Sequence, residues 1–116
     1  MDYQMLISAG VDYEGGLRRF SGNVDMYKRV LKMVLTDTNF NALEATLSAA
    51  DAAAGFAAAH ALTGIAGNLS LDRLYQSLRP LVEILRAGSL EGTDELFSTV
   101  SESYRETIAA ISSFLD

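Results

Sequence analysis

The sequence predicts an all-α protein, an antiparallel up-down four-helix bundle with short additional helical segments at its N-terminus. Apolar residues recur at helical spacing in several long stretches, and no stretch alternates as a strand does. The chain holds one proline in 116 residues. The connections between the predicted helices are short, which favours antiparallel neighbours. This length predicts a single domain over residues 1–116.

The element pattern begins with two short helical segments, in 1–9 and 16–20. Longer helices are predicted over 23–36 and 40–50, then from an N-cap at Asp51 to residue 69. Because the break before Asp51 is weak in the sequence, the helix that ends at residue 50 is expected to merge with or abut the next one. Ser70 is expected to cap the following helix, which ends at Ala87–Gly88, and Thr93 to cap the last.

Composition excludes several classes of function. The chain has no cysteine and one histidine, which excludes disulfides and a zinc site of the usual Cys/His kind. A net charge of −6 disfavours nonspecific binding of nucleic acid and favours a soluble monomer. No basic segment followed by an apolar run opens the sequence, and the uncharged span 52–71 is too rich in alanine and glycine for a membrane helix. We expect a cytoplasmic protein with no membrane partner.

The predicted helix Ala52–Leu71 carries the single histidine, His60, and no formally charged residue. At 100° per residue its larger apolar side chains share one sector, which should face the core. That sector holds Ala59, Leu62, Ile65, Ala66 and Leu69. The opposite sector holds His60 with small residues and one aromatic: Ala53, Phe56, Ala57, Gly64 and Gly67. His60 is therefore expected on the outer face.

This outer face lacks the lysines and glutamates that usually cover a soluble helix. Glycine in a helix interior costs roughly 1 kcal/mol relative to alanine. One explanation for Gly64 and Gly67 is a partner surface that must come close to the imidazole. The other explanation, which spacing leaves open, is tight helix packing around a partly buried histidine.

The segment His60-Ala61-Leu62-Thr63-Gly64-Ile65-Ala66-Gly67-Asn68-Leu69 resembles the signature of histidine-containing phosphotransfer (HPt) domains. That signature is a histidine, any residue, leucine, lysine, glycine, then small residues and a leucine. Asp51 stands where that family often starts the helix, and Thr63 stands where the family usually has lysine. The resemblance extends more weakly over the whole chain in length and helix order.

The resemblance implies that His60 accepts a phosphoryl group from a receiver-domain aspartate and passes it on in a two-component phosphorelay. Supporting and docking positions would be Phe56, Ala57, Thr63, Gly64 and Gly67, although Phe56 could equally cover the next helix. The implied partners are receiver domains of response regulators, of hybrid histidine kinases, or of both. The domain would bind no cofactor or metal, and Mg²⁺ is expected on the partner receiver.

The chemistry visible in the chain agrees with a carrier rather than a self-contained enzyme. A lone histidine cannot form a Ser-His-Asp triad without an activated serine, and no glycine-rich phosphate loop follows a strand. A neutral imidazole can still attack a phosphoryl group that a partner presents, since phosphoryl transfer needs mostly positioning and charge neutralisation. We expect a phosphocarrier.

The following helix should supply the side chains at the level of His60. Pivoting at Ser70 places Arg79–Glu83 opposite it. HPt domains often have glutamine or glutamate at the level of Val82, to hydrogen-bond the histidine, and Glu83 is one residue away. Arg79 and Arg86 could neutralise the phosphate. The other interpretation of Arg79 and Glu83 is an ordinary solvated face.

Three other functions stay open at this point. Thr63 and Val82 favour a degenerate HPt module that binds a receiver or histidine kinase without being phosphorylated. A substrate domain for a chemotaxis-type kinase is another possibility. An unrelated bundle that binds a small ligand would require a large interior pocket.

Overall fold

Residues 3–116 are described by a computed structural model of the chain. They form seven α-helices and contain no strand, which confirms the all-α class. In chain order these are α1 (Gln4–Ser8), α2 (Tyr13–Arg19), α3 (Val24–Val34), α4 (Asn39–Ser48), α5 (Ala52–Asn68), α6 (Asp72–Arg86) and α7 (Thr93–Leu115). The predicted short N-terminal segments are α1 and α2.

Side-chain caps fix the start of three helices. The carboxylates of Asp12 and Asp51 and the amide oxygen of Asn23 each accept a hydrogen bond from the backbone N–H three residues later, at 3.0 Å. Such a bond satisfies one of the donors left free at a helix N-terminus. The predicted cap at Asp51, which starts the histidine helix, is confirmed.

Two other predicted caps are wrong. Ser70 is not the N-cap of α6, because the helix begins at Asp72 and its N-cap is Leu71. Ser70 instead follows the end of α5 with a left-handed φ of 58°, and its hydroxyl accepts a hydrogen bond from Arg19 Nε at 3.3 Å. Thr93 is the first residue of α7 rather than its cap, and its hydroxyl donates to the Leu90 carbonyl at 2.8 Å.

Helices α4 and α5 do not merge, because the chain reverses between them. Ala50 has a left-handed φ of 55°. Its N–H donates to the Leu47 carbonyl and that of Asp51 donates to the Thr46 carbonyl. This pair of bonds is the Schellman motif, which ends a helix and redirects the chain. As a result, α4 packs along α5.

The contacts around α5 and α7 define the packing. Helices α5 and α6 form an antiparallel hairpin, in which Gly55 lies near Leu85 and Gly67 lies near Tyr75. Helices α3 and α4 follow one another along α7. The ammonium of Lys28 lies 5.4 Å from the Phe114 ring centre, and the Phe40 ring stacks on Phe97 and Tyr104. Helix α7 also packs on α1 and α6.

Leucine is the commonest residue of the core, which takes side chains from α1 and α3 through α7. Tyr27 is fully buried in it, and its hydroxyl donates to the Leu69 carbonyl at 2.9 Å. This bond ties α3 to the C-terminal end of α5. Within residues 3–116, no helix combines the length and the hydropathy that crossing a membrane requires.

Candidate functional site

Helix α5 buries its apolar side and exposes His60. Ala59, Leu62 and Ala66 are fully buried and Ile65 is half-buried. The His60 side chain is exposed on the other side of the helix. The predicted orientation is therefore confirmed, and the alternative of a partly buried core histidine is wrong.

The surface beside His60 is small and uncharged. Ala53, Ala57 and Gly64 are exposed next to it. A methyl group added to Gly64 would meet no atom within 4 Å, so packing within the protein does not require a glycine there. A methyl group on Gly67 would lie 3.4 Å from the Tyr75 ring, so this half-buried glycine has a neighbour in its own fold.

The His60 imidazole has one aromatic neighbour, Phe56, on the preceding turn of α5. The two ring centres are 5.5 Å apart and the ring planes differ by 29°, which is a stacked arrangement. Over the described part of the chain, no hydrogen bond or ion pair reaches the imidazole. Both ring nitrogens are therefore available to a partner.

Helix α6 lines one side of this surface with four residues at 4-3-4 spacing, namely Tyr75, Arg79, Val82 and Arg86. The guanidinium carbon of Arg79 lies 6.0 Å from the Tyr75 ring centre, and that of Arg86 lies 5.0 Å from the Phe56 ring centre. The contacts of α6 near Gly55 and Gly67 place His60 level with the middle of α6, as predicted. These two arginines supply positive charge beside a helix that has none.

Thr63, Val82 and Glu83, the candidates for assisting the histidine, make their contacts away from the imidazole. Val82 is apolar and only 5% exposed. The Glu83 carboxylate forms an ion pair with Arg86 Nε at 3.5 Å, and the structure shows no bond between Glu83 and His60. The Thr63 hydroxyl donates to the Ala59 carbonyl at 2.8 Å, so it bonds its own helix. None of the three forms a hydrogen bond with the imidazole.

The structure thus places Phe56, Ala57 and Gly64 beside His60 and the two α6 arginines over Tyr75 and Phe56, and it engages Thr63 and Glu83 in other bonds. Sequence reasoning missed Tyr75, which packs on Gly67 and lies beneath Arg79. The 4-3-4 spacing that puts Tyr75 on the same face as Arg79 is visible in the sequence, beside the leucine stripe of that helix.

The described residues offer no group of three or more histidine, cysteine, aspartate or glutamate side chains that could hold a metal ion. A surface groove of about 590 Å³ lies between α3 and the C-terminal part of α5. It is lined by Arg19, Phe20, Val30, Met33, Val34, Asp37, Ile65, Asn68 and Leu69. His60 does not line it, so the exposed imidazole and this groove are separate features.

Comparison with known proteins gives one positive finding. The family profile described as the Hpt domain matches residues 33–113, more than half of the chain. No curated protein and no solved structure matched the chain. The matched range runs from the end of α3 almost to the end of α7 and contains His60. The chain therefore belongs to the Hpt domain family, the phosphotransfer modules of two-component signalling, whose members interact with receiver domains.

Proposed function

We propose that this protein is a phosphocarrier of a two-component phosphorelay, which accepts a phosphoryl group on His60 from a receiver-domain aspartate and passes it on. The observation that carries the proposal is the exposed imidazole on an uncharged helix face, with open space at Gly64. A flat, uncharged surface lets a partner bring its acyl phosphate against the ring. The family match adds the reaction class.

The transfer itself is a displacement at phosphorus. The lone pair of the unprotonated ring nitrogen of His60 attacks, a nitrogen–phosphorus bond forms, and the bond from phosphorus to the aspartate oxygen breaks. The bonding electrons leave with the aspartate carboxylate, and the ring keeps its proton on the other nitrogen. The reverse displacement at a second receiver releases the group.

Negative charge on the transferred group needs a cation nearby, since phosphoryl transfer depends on charge neutralisation. Mg²⁺ on the partner receiver would supply part of it. Arg79 would neutralise the remaining negative charge, because it is exposed and level with His60 on α6. Ala57 and Gly67 widen the docking surface on either side of the histidine.

The arrangement of the helices supports the proposed phosphotransfer at His60. We propose a four-helix up-down bundle in which α3 and α4 together occupy one of the four positions, and α5, α6 and α7 occupy the others. The protein would act as a cytoplasmic monomer and bind no cofactor itself.

The test is transfer of labelled phosphate from a panel of phosphorylated receiver domains to the wild type and to His60→Gln. The proposal predicts an acid-labile, base-stable label on the wild type and none on the variant. His60→Gln should still bind the receivers, which separates loss of the acceptor from loss of docking. Equal labelling of both proteins would overturn the proposal.

A second candidate rests on the positions of Thr63 and Val82. Neither gives the imidazole a hydrogen bond or a charge, so a module that binds a receiver or histidine kinase without being phosphorylated is the alternative. A wild type that binds receivers and takes no label would favour it. Thr63→Lys would then be expected to introduce labelling that the wild type lacks, because a cation within about 4 Å of the phosphoryl group contributes roughly 1 kcal/mol even in a solvated setting.

Thr99→Lys is the matched control for that rescue. Thr99 also donates its hydroxyl to the carbonyl four residues earlier, but it lies on α7. Labelling of Thr63→Lys but not of Thr99→Lys would show that the missing cation is needed beside His60.

A further inference from the structure

An exposed histidine on a helix can exchange between side-chain rotamers. Attack on phosphorus requires the ring nitrogen to be aligned with the bond that breaks, and alignment lowers the barrier. The residue of α6 at this level, Val82, is buried and apolar, and no hydrogen bond to His60 occurs among residues 3–116.

Phe56 takes a place from which it can restrict the ring. It lies four residues before His60, a spacing at which side chains on a helix meet. Its ring is stacked on the imidazole at 5.5 Å, with 29° between the planes. Phe56 is half-buried and packs against the core, whereas the His60 side chain is exposed.

On α6, Arg86 contacts Phe56 and Glu83 contacts Arg86. The guanidinium of Arg86 lies over the Phe56 ring at 5.0 Å, within the range of a cation–π contact. Glu83 binds Arg86 Nε at 3.5 Å on the preceding turn of α6. The stacking cluster of Phe56, Arg86 and Glu83 therefore connects α6 to His60 without a hydrogen bond to the imidazole.

Resting on the proposed phosphotransfer at His60, we infer that Phe56 is the positioning residue for the imidazole, and that Arg86 and Glu83 act by holding Phe56. The cluster restricts the ring without a hydrogen bond to it. It also gives the two arginines different roles, with Arg86 contacting the Phe56 ring and Arg79 meeting the phosphoryl group.

The test combines nuclear magnetic resonance of the unphosphorylated protein with single-turnover transfer from a phosphorylated receiver. Phe56→Leu keeps an apolar side chain and removes the ring, and Phe56→Tyr keeps the ring. The imidazole proton resonances of His60 should carry a ring-current shift in the wild type and in Phe56→Tyr, and lose it in Phe56→Leu. The maximal transfer rate should fall about threefold to tenfold in Phe56→Leu, as expected for loss of an aromatic pair, with an unchanged half-saturating receiver concentration.

Arg86→Gln and Phe97→Leu complete the series. Arg86 is exposed, so its replacement leaves the core intact, and it should reduce the ring-current shift of His60 before any phosphoryl group is present. Phe97 is a half-buried aromatic on α7 that stacks on Phe40, and its change to leucine should leave both the shift and the rate of transfer unaltered.

Failure of this inference is distinct from failure of the phosphotransfer proposal. A wild type that takes no label overturns the carrier function, while the resonance shifts still report whether Phe56 restricts the ring. A wild type that takes label, with Phe56→Leu equal to it in both rate and resonance shift, overturns the positioning role. A reduced rate in Phe97→Leu equal to that in Phe56→Leu also overturns it, because the effect would then follow general stability.

Discussion

Gly64 lies one turn after His60 on the exposed face of α5, and a methyl group placed there would meet no neighbouring atom within 4 Å. Gly64→Ala should therefore raise the free energy of unfolding by about 1 kcal/mol, since alanine is the better helix former. Gly64→Gln should fold as well as Gly64→Ala. It should weaken receiver docking about tenfold, because the glutamine side chain lies where the partner must approach. Urea unfolding and a receiver titration measure the two effects.

Ala109→Gln is the control for the added side chain, since Ala109 is exposed on α7, away from His60. It should leave docking unchanged. Receiver binding by Gly64→Gln as tight as by Ala109→Gln would show that the open space at Gly64 has no part in docking.

At the level of helices, Ala50 ends α4 in a conformation that suits glycine. Its φ of 55° is left-handed, which costs a residue with a side chain roughly 1–2 kcal/mol. Ala50→Gly should raise the free energy of unfolding by about 1 kcal/mol, part of the gain being offset by the greater freedom of glycine in the unfolded chain. Thermal unfolding followed by circular dichroism measures the change.

The neighbouring residue provides the comparison for that substitution. Ala49 has an ordinary φ of −84°, so Ala49→Gly should give no gain in stability. A melting temperature of Ala50→Gly at or below that of Ala49→Gly would contradict the assignment of the reversal to Ala50.

Tyr27 fastens α3 to the last turn of α5 through its bond to the Leu69 carbonyl. Tyr27→Phe should lower the free energy of unfolding by about 1–2 kcal/mol, because the buried carbonyl loses its partner. Tyr104→Phe is the control, as Tyr104 is half-buried and its hydroxyl shows no hydrogen bond in the described residues. Equal stability of the two variants in urea would show that the hydrogen bond from Tyr27 to Leu69 does not stabilise the packing of α3 against α5.

Burial, and after it the nearby Asp12 carboxylate, raises the pKa of Tyr27. The unfolded chain therefore loses this proton at lower pH than the folded protein does. The stability that the neutral hydroxyl provides is complete below pH about 10, the ordinary tyrosine pKa, and is lost as the pH rises above it.

Across the whole molecule, the residues before the family-matched range belong to the same core. Leu6 on α1 is 0% exposed, whereas its neighbour Ile7 is 46% exposed. Leu6→Ala should lower the free energy of unfolding by about 3 kcal/mol, in line with other buried leucines, and Ile7→Ala by much less. Urea unfolding followed by two probes measures both and also tests the single domain predicted over residues 1–116.

If Leu6→Ala and Ile7→Ala have the same free energy of unfolding, α1 is not part of the core. If the variant shows two separate transitions, the single-domain prediction is wrong. A single transition at lower urea is the expected result.

The sequence was informative where structure depends on local pattern. The Asp51 cap and the outward direction of His60 follow from a capping residue and from helical periodicity, and both were predicted. The left-handed residues that follow α4 and α5 were not, because Ala50 and Ser70 occupy positions that usually carry glycine. The contact of Arg86 with Phe56 depends on how two helices pack and on side-chain torsions, which spacing within one helix does not determine.

The most direct test of the central claim is the release of a phosphoryl group from His60 to a receiver. The purified protein would be loaded with a small phosphoryl donor such as phosphoramidate, and the modified residue would be located by mass spectrometry. An unphosphorylated receiver with Mg²⁺ would then be added. The proposed function predicts that the group is on His60 and moves to the receiver aspartate as it leaves the histidine. A label on another residue, or one on His60 that decays equally fast with and without every receiver tested, would contradict it.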